Sequence, residues 1–271
     1  MIFIVGGRGR LGQALAELHI NDDVICIERA VYEHWGRADA TADIAAWFAS
    51  HATAGAVIYV CSGLLDPKIP PNGLHAVNFM LPYNIIQSVA GLDVHVVTFG
   101  TAMEGMLAAN PYVQSKLALA NFIDQRQTSA CKVTHIRIHT LYGGGEPSPF
   151  MFLGLMLAAL RQEASFAMTL GRQLREYHHV EDDAIAIRQL VNSSVTGLVT
   201  LSHGHPVTLR CLAEAVFEKL NKAHLLHLGA LPEPAEDNFE QVFSSPGELQ
   251  GIKFRETLSA VANYMQLLAE A

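Results

Sequence analysis

The N-terminal stretch MIFIVGGRGRLG, residues 1–12, decides the fold class. An apolar run runs directly into glycines spaced three residues apart, Gly6, Gly9 and Gly12, and the amphipathic segment LGQALAELH follows. Glycines at such positions let the chain turn tightly and let backbone N–H groups approach a pyrophosphate at the N-terminus of the next helix. Because a strand pattern precedes the glycines and a helix pattern follows them, the stretch predicts a dinucleotide-binding turn.

The residues around this turn indicate which dinucleotide binds. Glu28 ends the second strand-like run, where an acid holds the ribose 2′-hydroxyl of NAD. Arginines in the turn and beside Glu28 suit the 2′-phosphate of NADP instead, although Arg10 is as readily explained as a solvated surface charge. The acid argues for NAD and the arginines for NADP, and we favour NADP(H). The candidate cofactor-binding residues in this region are Gly6, Arg8, Gly9, Arg10, Leu11, Gly12, Glu28 and Arg29.

The composition of the 271-residue chain excludes several classes of protein. Half of the residues are hydrophobic and 16% are charged, which excludes disorder as the main state. The charge balance is acidic, with 18 Lys+Arg against 26 Asp+Glu, so we expect no nucleic-acid partner. The N-terminus has no basic segment typical of a signal peptide, and the longest apolar run, Pro149–Leu160, is shorter than a membrane span. We therefore expect a cytoplasmic protein without a membrane partner, whose four scattered cysteines are reduced.

The first half of the chain alternates short apolar runs with helical patterns. After the opening strand, further strand-like runs occupy 23–29, 54–63, 92–101 and 132–143. Continuous apolar strands separated by helices predict an α/β fold, a Rossmann-type doubly wound parallel sheet.

The Gly/Pro cluster YGGGEPSP ends this regular alternation and indicates a boundary. We assign residues 1–145 to a dinucleotide-binding core that also takes a further strand near 195–203. Residues 146–194 and 204–271 are predicted to form a smaller, substrate-facing C-terminal lobe.

The segment PYVQSKLALANF, residues 111–122, places two reactive side chains on an otherwise apolar helix. Tyr112 and Lys116 are four residues apart and therefore lie on one helix face. A phenol with a pKa near 10 becomes an effective acid–base group at neutral pH when a nearby cation lowers that value. The pair therefore predicts proton transfer by Tyr112, assisted by Lys116.

The motifs GGRGRLG, YVQSK and REYHHVEDD together resemble the extended short-chain dehydrogenase/reductases. This NAD-dependent epimerase/dehydratase branch includes sugar-nucleotide epimerases, dehydratases and 4-ketoreductases. The likeness covers nearly the whole chain, since RIHTLYGGG and the closing FRETLSAVANYM also resemble family segments. It implies that Tyr112 exchanges a proton with the substrate oxygen and that Lys116 lowers the tyrosine pKa and holds the nicotinamide ribose. Thr101, with Thr98 as the alternative, would hydrogen-bond the reacting oxygen.

The resemblance also implies positions that contact the cofactor or the substrate. Asp39 and Ser62 fall at cofactor positions, in GRADATAD and after AVIYV. The expected substrate-binding residues are Asn78, Thr140 and Arg175. Thr140 replaces an asparagine of the family pattern, and Arg175 resembles the arginine that grips a sugar-nucleotide diphosphate. The alternative for Arg175 is a salt bridge to Glu181 or Asp182.

Departures from the family pattern narrow the expected reaction. Dehydratases resembling this chain carry Asp-Glu directly after the threonine, whereas Ala102 and Met103 follow Thr101 here. We expect the nearby Glu104 to be a solvated loop acid rather than a substitute. The leading hypothesis is an NAD(P)-dependent reductase of a 4-keto, 6-deoxy sugar nucleotide. The alternatives are a sugar-nucleotide 4-epimerase with bound NAD and a non-catalytic dinucleotide-sensing regulator.

Two further expectations concern partners and metals. The resemblance implies a homodimer that packs the tyrosine helix and the preceding helix against their mates. The pairs His178-His179 and His203–His205 have no cysteine or carboxylate at a recognised zinc spacing. We therefore expect no metal site.

Overall fold

The computed structural model describes residues 1–107, 109–126 and 130–271. The strands are β1 Ile2–Val5, β2 Val24–Ile27, β3 Ala56–Val60, β4 Val94–Thr101, β5 Lys132–Ile138, β6 Thr140–Tyr142, β7 Phe166–Ala167, β8 Leu174–Arg175, β9 Tyr177–His179, β10 Gly197–Thr200, β11 Val207–Thr208 and β12 Leu226–His227.

The α-helices are α1 Arg10–Leu18, α2 Arg29–Tyr32, α3 Thr41–His51, α4 Pro71–His75, α5 Leu81–Ser88, α6 Pro111–Asp124, α7 Phe152–Arg161, α8 Val180–Asn192, α9 Leu209–Lys219 and α10 Thr257–Ala269. A π-helical segment, Ala76–Met80, joins α4 to α5, and short 3₁₀ turns lie at Ala223–Leu225 and Gly247–Leu249.

Six strands form one parallel sheet in the order β10-β5-β4-β3-β1-β2. From β1 the chain adds β2 on one side and then crosses to β3 on the other, so the strand order reverses between β1 and β3. Ligands of open α/β sheets bind beyond the carboxyl ends of the strands at such a reversal. The predicted Rossmann-type α/β fold is confirmed.

The chain divides into two compact units. The first comprises Met1–Ile138, Ala184–Leu201 and Pro246–Leu249. The second comprises His139–Asp183, Ser202–Ser245 and Gln250–Ala271.

The predicted boundary at residue 145 is corrected by strand pairing. The run 132–143 is not one strand: β5 pairs with β4 as far as Ile138, and β6 pairs with β9 instead. The seven residues from 139 to 145 therefore belong to the second unit, whereas 184–194 belong to the first.

Each unit has its own apolar core. In the first, Phe3 on β1 packs edge-on against Phe48 of α3 with ring centres 5.6 Å apart, and Trp35 lies against the same phenylalanine. In the second, the buried Phe166 stacks on Phe217 of α9 at 5.6 Å. Among the described residues, no helix is long and apolar enough to cross a membrane.

The packing of α1 against β1 requires a close approach of Gly12 to Gly6, and this contact provides a test of the fold. A Cβ atom on Gly12 would lie 2.4 Å from the carbonyl oxygen of Gly6 and 2.8 Å from the Cα atom of Gly7. We predict that Gly12→Ala lowers the free energy of unfolding by about 1–3 kcal/mol, because the backbone must shift to admit the methyl group. Urea unfolding measures the loss. Gly9→Ala is the control, since its Cβ would lie 3.3 Å from the same oxygen; equal losses in both variants would contradict the steric argument.

Candidate functional site

The loops after β1 and β3 touch at the point where the strand order reverses. Gly6 has φ +88°, and a Cβ atom there would lie 2.5 Å from the backbone nitrogen of Ser62. The amide of Gly9 donates to the carbonyl of Gly6 at 3.0 Å, and Gly9 caps α1 without any side-chain hydrogen bond. A side chain at Gly6 or Gly12 would fill this turn. The geometry therefore fits the close backbone approach that a pyrophosphate requires.

The other predicted cofactor residues lie around this turn and along the neighbouring elements. Arg8, Glu28, Arg29 and Asp39 are exposed, with Glu28 directly preceding α2. Arg10 is half-buried at the start of α1, and Leu11 packs into the core. The structure thus brings Gly6 and Ser62 together and leaves four charged candidates open to solvent: Arg8, Glu28, Arg29 and Asp39.

The residues at the N-terminus of α6 determine where the helix begins, and Tyr112 lies in its first turn. The side chain of Asn110 accepts hydrogen bonds from the backbone amides of Tyr112, at 2.9 Å, and Val113, at 3.3 Å. Pro111, with no amide hydrogen, occupies the first helical position, where none is needed. These two residues fix the point at which the helix begins and hence the position of Tyr112.

Lys116 is buried beside the sheet, with only 7% of its surface exposed. Its Nζ atom donates to the carbonyl oxygen of Phe99 at 2.9 Å. Burial lowers the pKa of Lys116 to about 8, although the charge of Glu104 opposes this shift. The amine therefore remains mainly protonated at neutral pH.

The pKa of Tyr112 is raised in this structure, whereas the Tyr112–Lys116 spacing led us to expect a lowered value. Burial raises the pKa of the half-buried Tyr112 phenol above its ordinary value, and the charge of Glu104 raises it further. The ammonium group of Lys116 is instead bonded to a backbone carbonyl. The phenol is consequently protonated at neutral pH.

Asn78 lies in the π-helical segment and is fully buried. Its Oδ1 atom accepts from the amide of Leu64 at 2.8 Å, and its Nδ2 atom donates to the carbonyl of Leu64 at 2.9 Å and to Oγ of Ser115 at 3.0 Å. The Ser115 hydroxyl in turn donates to the carbonyl of Tyr112 at 2.6 Å. Asn78 thus links the segment after β3 to the first turn of α6. These bonds engage the side-chain amide that we expected to contact the substrate.

The two candidate threonines of β4 have different surroundings. Thr98 is 1% exposed, and its hydroxyl donates to Nδ1 of His135 at 2.8 Å. Thr101 is half-buried at the end of the strand, and its Oγ1 atom accepts from the amide of Met103 at 3.2 Å. A hydroxyl that accepts one hydrogen bond can still donate another, so Thr101 is the better placed of the two to meet a ligand.

Glu104 is not the solvated loop acid that the sequence suggested. Its side chain is fully buried, with Oε2 accepting from Nε of Arg137 at 2.7 Å and Oε1 lying 3.3 Å from Nε2 of His135. Oε1 also accepts from the backbone amide of Thr101 at 3.0 Å. The carboxylate therefore holds the end of β4 through bonds to β5.

A pattern of polar residues on β5, outside the motifs described above, could have predicted this network. His135 and Arg137 are two residues apart on β5, so their side chains lie on the same face of the sheet. Two such polar residues within a buried strand require a partner. A carboxylate in the following loop segment satisfies that requirement.

The pKa values of this network have opposing causes. Burial alone would raise the pKa of Glu104, but the hydrogen bonds and charges of His135 and Arg137, together with the Thr101 amide, hold it below its ordinary value. Burial lowers the pKa of His135. The ring is therefore neutral, with Nε2–H donating to Glu104 and Nδ1 accepting from Thr98.

The remaining substrate candidates, Thr140 and Arg175, lie in the second unit. The amide of Thr140 donates to the carbonyl of Glu176 at 3.2 Å, as β6 pairs with β9. The guanidinium group of Arg175 donates to Asp237 and to the carbonyl of Leu174. Glu181 and Asp182, the expected salt-bridge alternatives, pair with Arg255 instead.

The buried position of Glu104 predicts a pH-dependent contribution to stability. A carboxylate whose folded-state pKa lies below 4.5 stabilises the fold above that pH, and the contribution is lost as the pH falls through the folded-state value. We predict that Glu104→Gln lowers the free energy of unfolding by about 3 kcal/mol at pH 7, because a buried ion pair is broken. The difference from wild type shrinks as the pH falls below 4.5.

Urea unfolding at pH 7 and at successively lower pH measures this effect. Glu214→Gln is the control: Glu214 pairs with Arg210 on an exposed helix face, and exposed pairs of this spacing contribute about 0.3–0.5 kcal/mol. A Glu104→Gln loss no larger than that of the control would contradict a structural role for the buried carboxylate.

Comparison with solved structures found chains of similar fold. The chain is similar to dTDP-4-dehydrorhamnose reductase from Clostridium acetobutylicum, with 16% identity, a TM-score of 0.79, and 98% of this chain and 99% of that chain covered. It is also similar to the NADP complex of dTDP-4-dehydrorhamnose reductase from Bacillus anthracis, with 15% identity, a TM-score of 0.78, and 98% of both chains covered. A third is UDP-N-acetylglucosamine 4-epimerase from Methanobrevibacter ruminantium, with 15% identity, a TM-score of 0.75, and 99% of this chain and 96% of that chain covered.

Comparison with curated protein sequences gave no match. The family model described as the NAD dependent epimerase/dehydratase family matches residues 2–199, well over half of the sequence. The matched region contains both the glycine turn after β1 and the helix that carries Tyr112 and Lys116. The chain belongs to the NAD dependent epimerase/dehydratase family.

Proposed function

We propose that the protein is an NAD(P)-dependent oxidoreductase that reduces a 4-keto group of a nucleotide-activated 6-deoxy sugar. The observation that carries the proposal is the geometry of α6, whose capped first turn holds the half-buried Tyr112 one helical turn from the buried Lys116. A protonated phenol suits reduction, because the substrate oxygen gains a proton as its carbon gains a hydride. When bound, the reduced nicotinamide supplies that hydride.

Residues around Tyr112 have supporting roles in this proposal. Thr101 donates its hydroxyl hydrogen to the reacting oxygen, which Tyr112 then protonates. Lys116 holds ribose hydroxyls with its ammonium group and keeps a positive charge near the reacting centre. Asn78 acts through Ser115, whose bond to the Tyr112 carbonyl fixes the turn that carries the phenol. In the second unit, Thr140 and Arg175 are the proposed substrate contacts, with Arg175 exchanging its bond to Asp237 for the substrate diphosphate.

NADP(H) is the proposed cofactor, held at the turn of Gly6, Gly9 and Gly12. The exposed Arg8 and Arg29 provide guanidinium groups suited to a 2′-phosphate. Two similar structures are dTDP-4-dehydrorhamnose reductases, one of them an NADP complex. The competing argument for NAD is Glu28, whose carboxylate suits a ribose 2′-hydroxyl.

Replacing the phenol tests the proposed reaction. We predict that Tyr112→Phe lowers kcat about 10²–10⁴-fold, the usual contribution of a general acid, while cofactor affinity is retained. The assay follows NADPH and NADH oxidation separately with a panel of 4-keto sugar nucleotides. Tyr264→Phe is the control, since that phenol donates to the carbonyl of Gly145 in the second unit.

The stoichiometry of the same assay separates the alternatives. A reductase consumes one reduced cofactor for each sugar converted, and faster turnover with NADPH than with NADH supports the cofactor assignment. Interconversion of 4-epimers without net cofactor change would replace the reductase proposal with a 4-epimerase. Cofactor binding without turnover in wild type and Tyr112→Phe alike would favour a dinucleotide-sensing regulator.

We also propose that the protein is a homodimer that pairs through α5 and α6. Half-buried aromatic rings follow one another across the π-helical segment, α5 and α6, with Phe79 and Tyr83 stacked at 5.4 Å and Tyr83 against Phe122 at 4.8 Å. Partly exposed aromatic side chains of this kind are enriched at protein interfaces.

The mass in solution tests the dimer. We predict a dimeric mass by light scattering at micromolar concentration and a monomeric mass for Tyr83→Glu, because the charge cannot be buried without a partner. Leu267→Glu is the control, since that leucine on α10 is 72% exposed. A monomeric wild type, or a monomer produced by the control as readily as by Tyr83→Glu, would contradict this interface.

A further inference from the structure

A buried cluster of metal-ligating side chains lies in the second unit and has no role in the proposed reaction. One ligand atom each from Glu176, His178 and His203 lie within 4.8 Å of one another. The three side chains are 1%, 0% and 9% exposed. Burial distinguishes this cluster from the exposed acidic groups that are common on protein surfaces.

The distances within the cluster suit a tetrahedral metal ion. Nε2 of His178 lies 2.9 Å from Oε2 of Glu176, and Nδ1 of His203 lies 3.4 Å from the same oxygen. Ligand bonds of about 2.0–2.1 Å in a tetrahedral zinc site place neighbouring ligand atoms about 3.3 Å apart. The observed separations lie on either side of that value, so small adjustments would allow all three atoms to share one ion.

A third imidazole faces the same carboxylate. Nε2 of His139 lies 3.8 Å from Oε2 of Glu176, and the side chain is 7% exposed. This nitrogen is buried and has no hydrogen-bond partner among the described residues. The ring centres of His139 and His178 are 5.3 Å apart, and two imidazoles on one tetrahedral zinc ion have centres about 5 Å apart. His139 therefore lies beside the three-residue cluster, next to Glu176.

The surroundings of His178 resemble the outer shell of a metal site. Its Nδ1 atom is held by Oδ1 of the fully buried Asp183 at 2.6 Å, which directs Nε2 toward Glu176. A carboxylate in this position fixes ring orientation and raises the basicity of the ligating nitrogen. The backbone amide of His205 donates to Nδ1 of His203 at 3.1 Å, so coordination through that nitrogen would replace this bond.

We propose that Glu176, His178 and His203 bind one divalent transition-metal ion of the zinc type. Imidazole and carboxylate ligands suit Zn²⁺ and Co²⁺. The ion would join two segments of the second unit that are distant in sequence: the strand β9 with the residue before it, and the loop after residue 201. Metal binding at such a site adds to folding stability. The proposal does not depend on the proposed reaction.

Titration of the full-length, chelator-treated protein with Zn²⁺ and Co²⁺ tests the site. We expect one equivalent of metal to bind, a visible Co²⁺ spectrum of tetrahedral type, and a Zn²⁺-dependent rise in Tm. His203→Gln should weaken Zn²⁺ binding at least tenfold. Asp183→Asn, which keeps all the ligands, should weaken it about 10–100-fold.

His224→Gln is the matched control, because His224 is an exposed histidine of the same unit. It should leave the affinity, the cobalt spectrum and the rise in Tm unchanged. Circular dichroism and the Tm without metal identify any variant that fails to fold, and in that case the cobalt spectrum of wild type decides. The proposal is overturned if wild type binds no stoichiometric metal, if its cobalt spectrum is octahedral, or if folded His203→Gln binds Zn²⁺ as tightly as the control.

Discussion

The close approach of two backbone segments, after β1 and after β3, is the constraint on which the rest of the first unit depends. At Gly6 there is no room for a Cβ atom beside the amide of Ser62, and at Gly12 there is none beside the Gly6 carbonyl. The contact brings the start of α1 to the place where the strand order reverses. The packing of the fold and the binding of a pyrophosphate therefore make the same demand: both require glycine at these positions. A side chain that disturbed the packing would also fill the turn in which we expect the pyrophosphate to bind.

This shared demand explains why so much could be predicted from the sequence. The glycine spacing, the apolar strands and the cap and proline before Tyr112 are local patterns, and each specifies its own element. The break between β5 and β6 was missed because the run 132–143 is continuously strand-like, and only pairing partners distant in sequence divide it after Ile138. The π-helical segment was missed for a similar reason: the buried Asn78 is held there by Leu64 and Ser115, which lie 14 and 37 residues away.

The electrostatic surroundings of the candidate site were the least predictable part. An i, i+4 pair on a helix indicates which side chains are neighbours, but the pKa of Tyr112 also depends on burial and on a carboxylate outside the helix. Glu104 is an isolated acid in a short segment, and its partners lie 31 and 33 residues later in the chain. Likewise, local zinc spacing gave no indication of a cluster in which Glu176 and His203 are 27 residues apart. The partners of charged residues this far apart in the sequence can be identified only from the folded structure.

The two buried carboxylate–histidine pairs show how the surroundings decide the charge of an imidazole. Burial lowers the pKa of His135, and one carboxylate, Glu104, does not offset it, so the ring is neutral and Arg137 supplies the positive charge. Burial also lowers the pKa of His178, but two carboxylates, Asp183 and Glu176, face its ring and together raise the pKa to about 9. A buried carboxylate requires a positive partner in either case. For Glu176 that partner is the proton on Nε2 of His178, which a bound divalent ion would displace and replace with a larger positive charge at the same nitrogen.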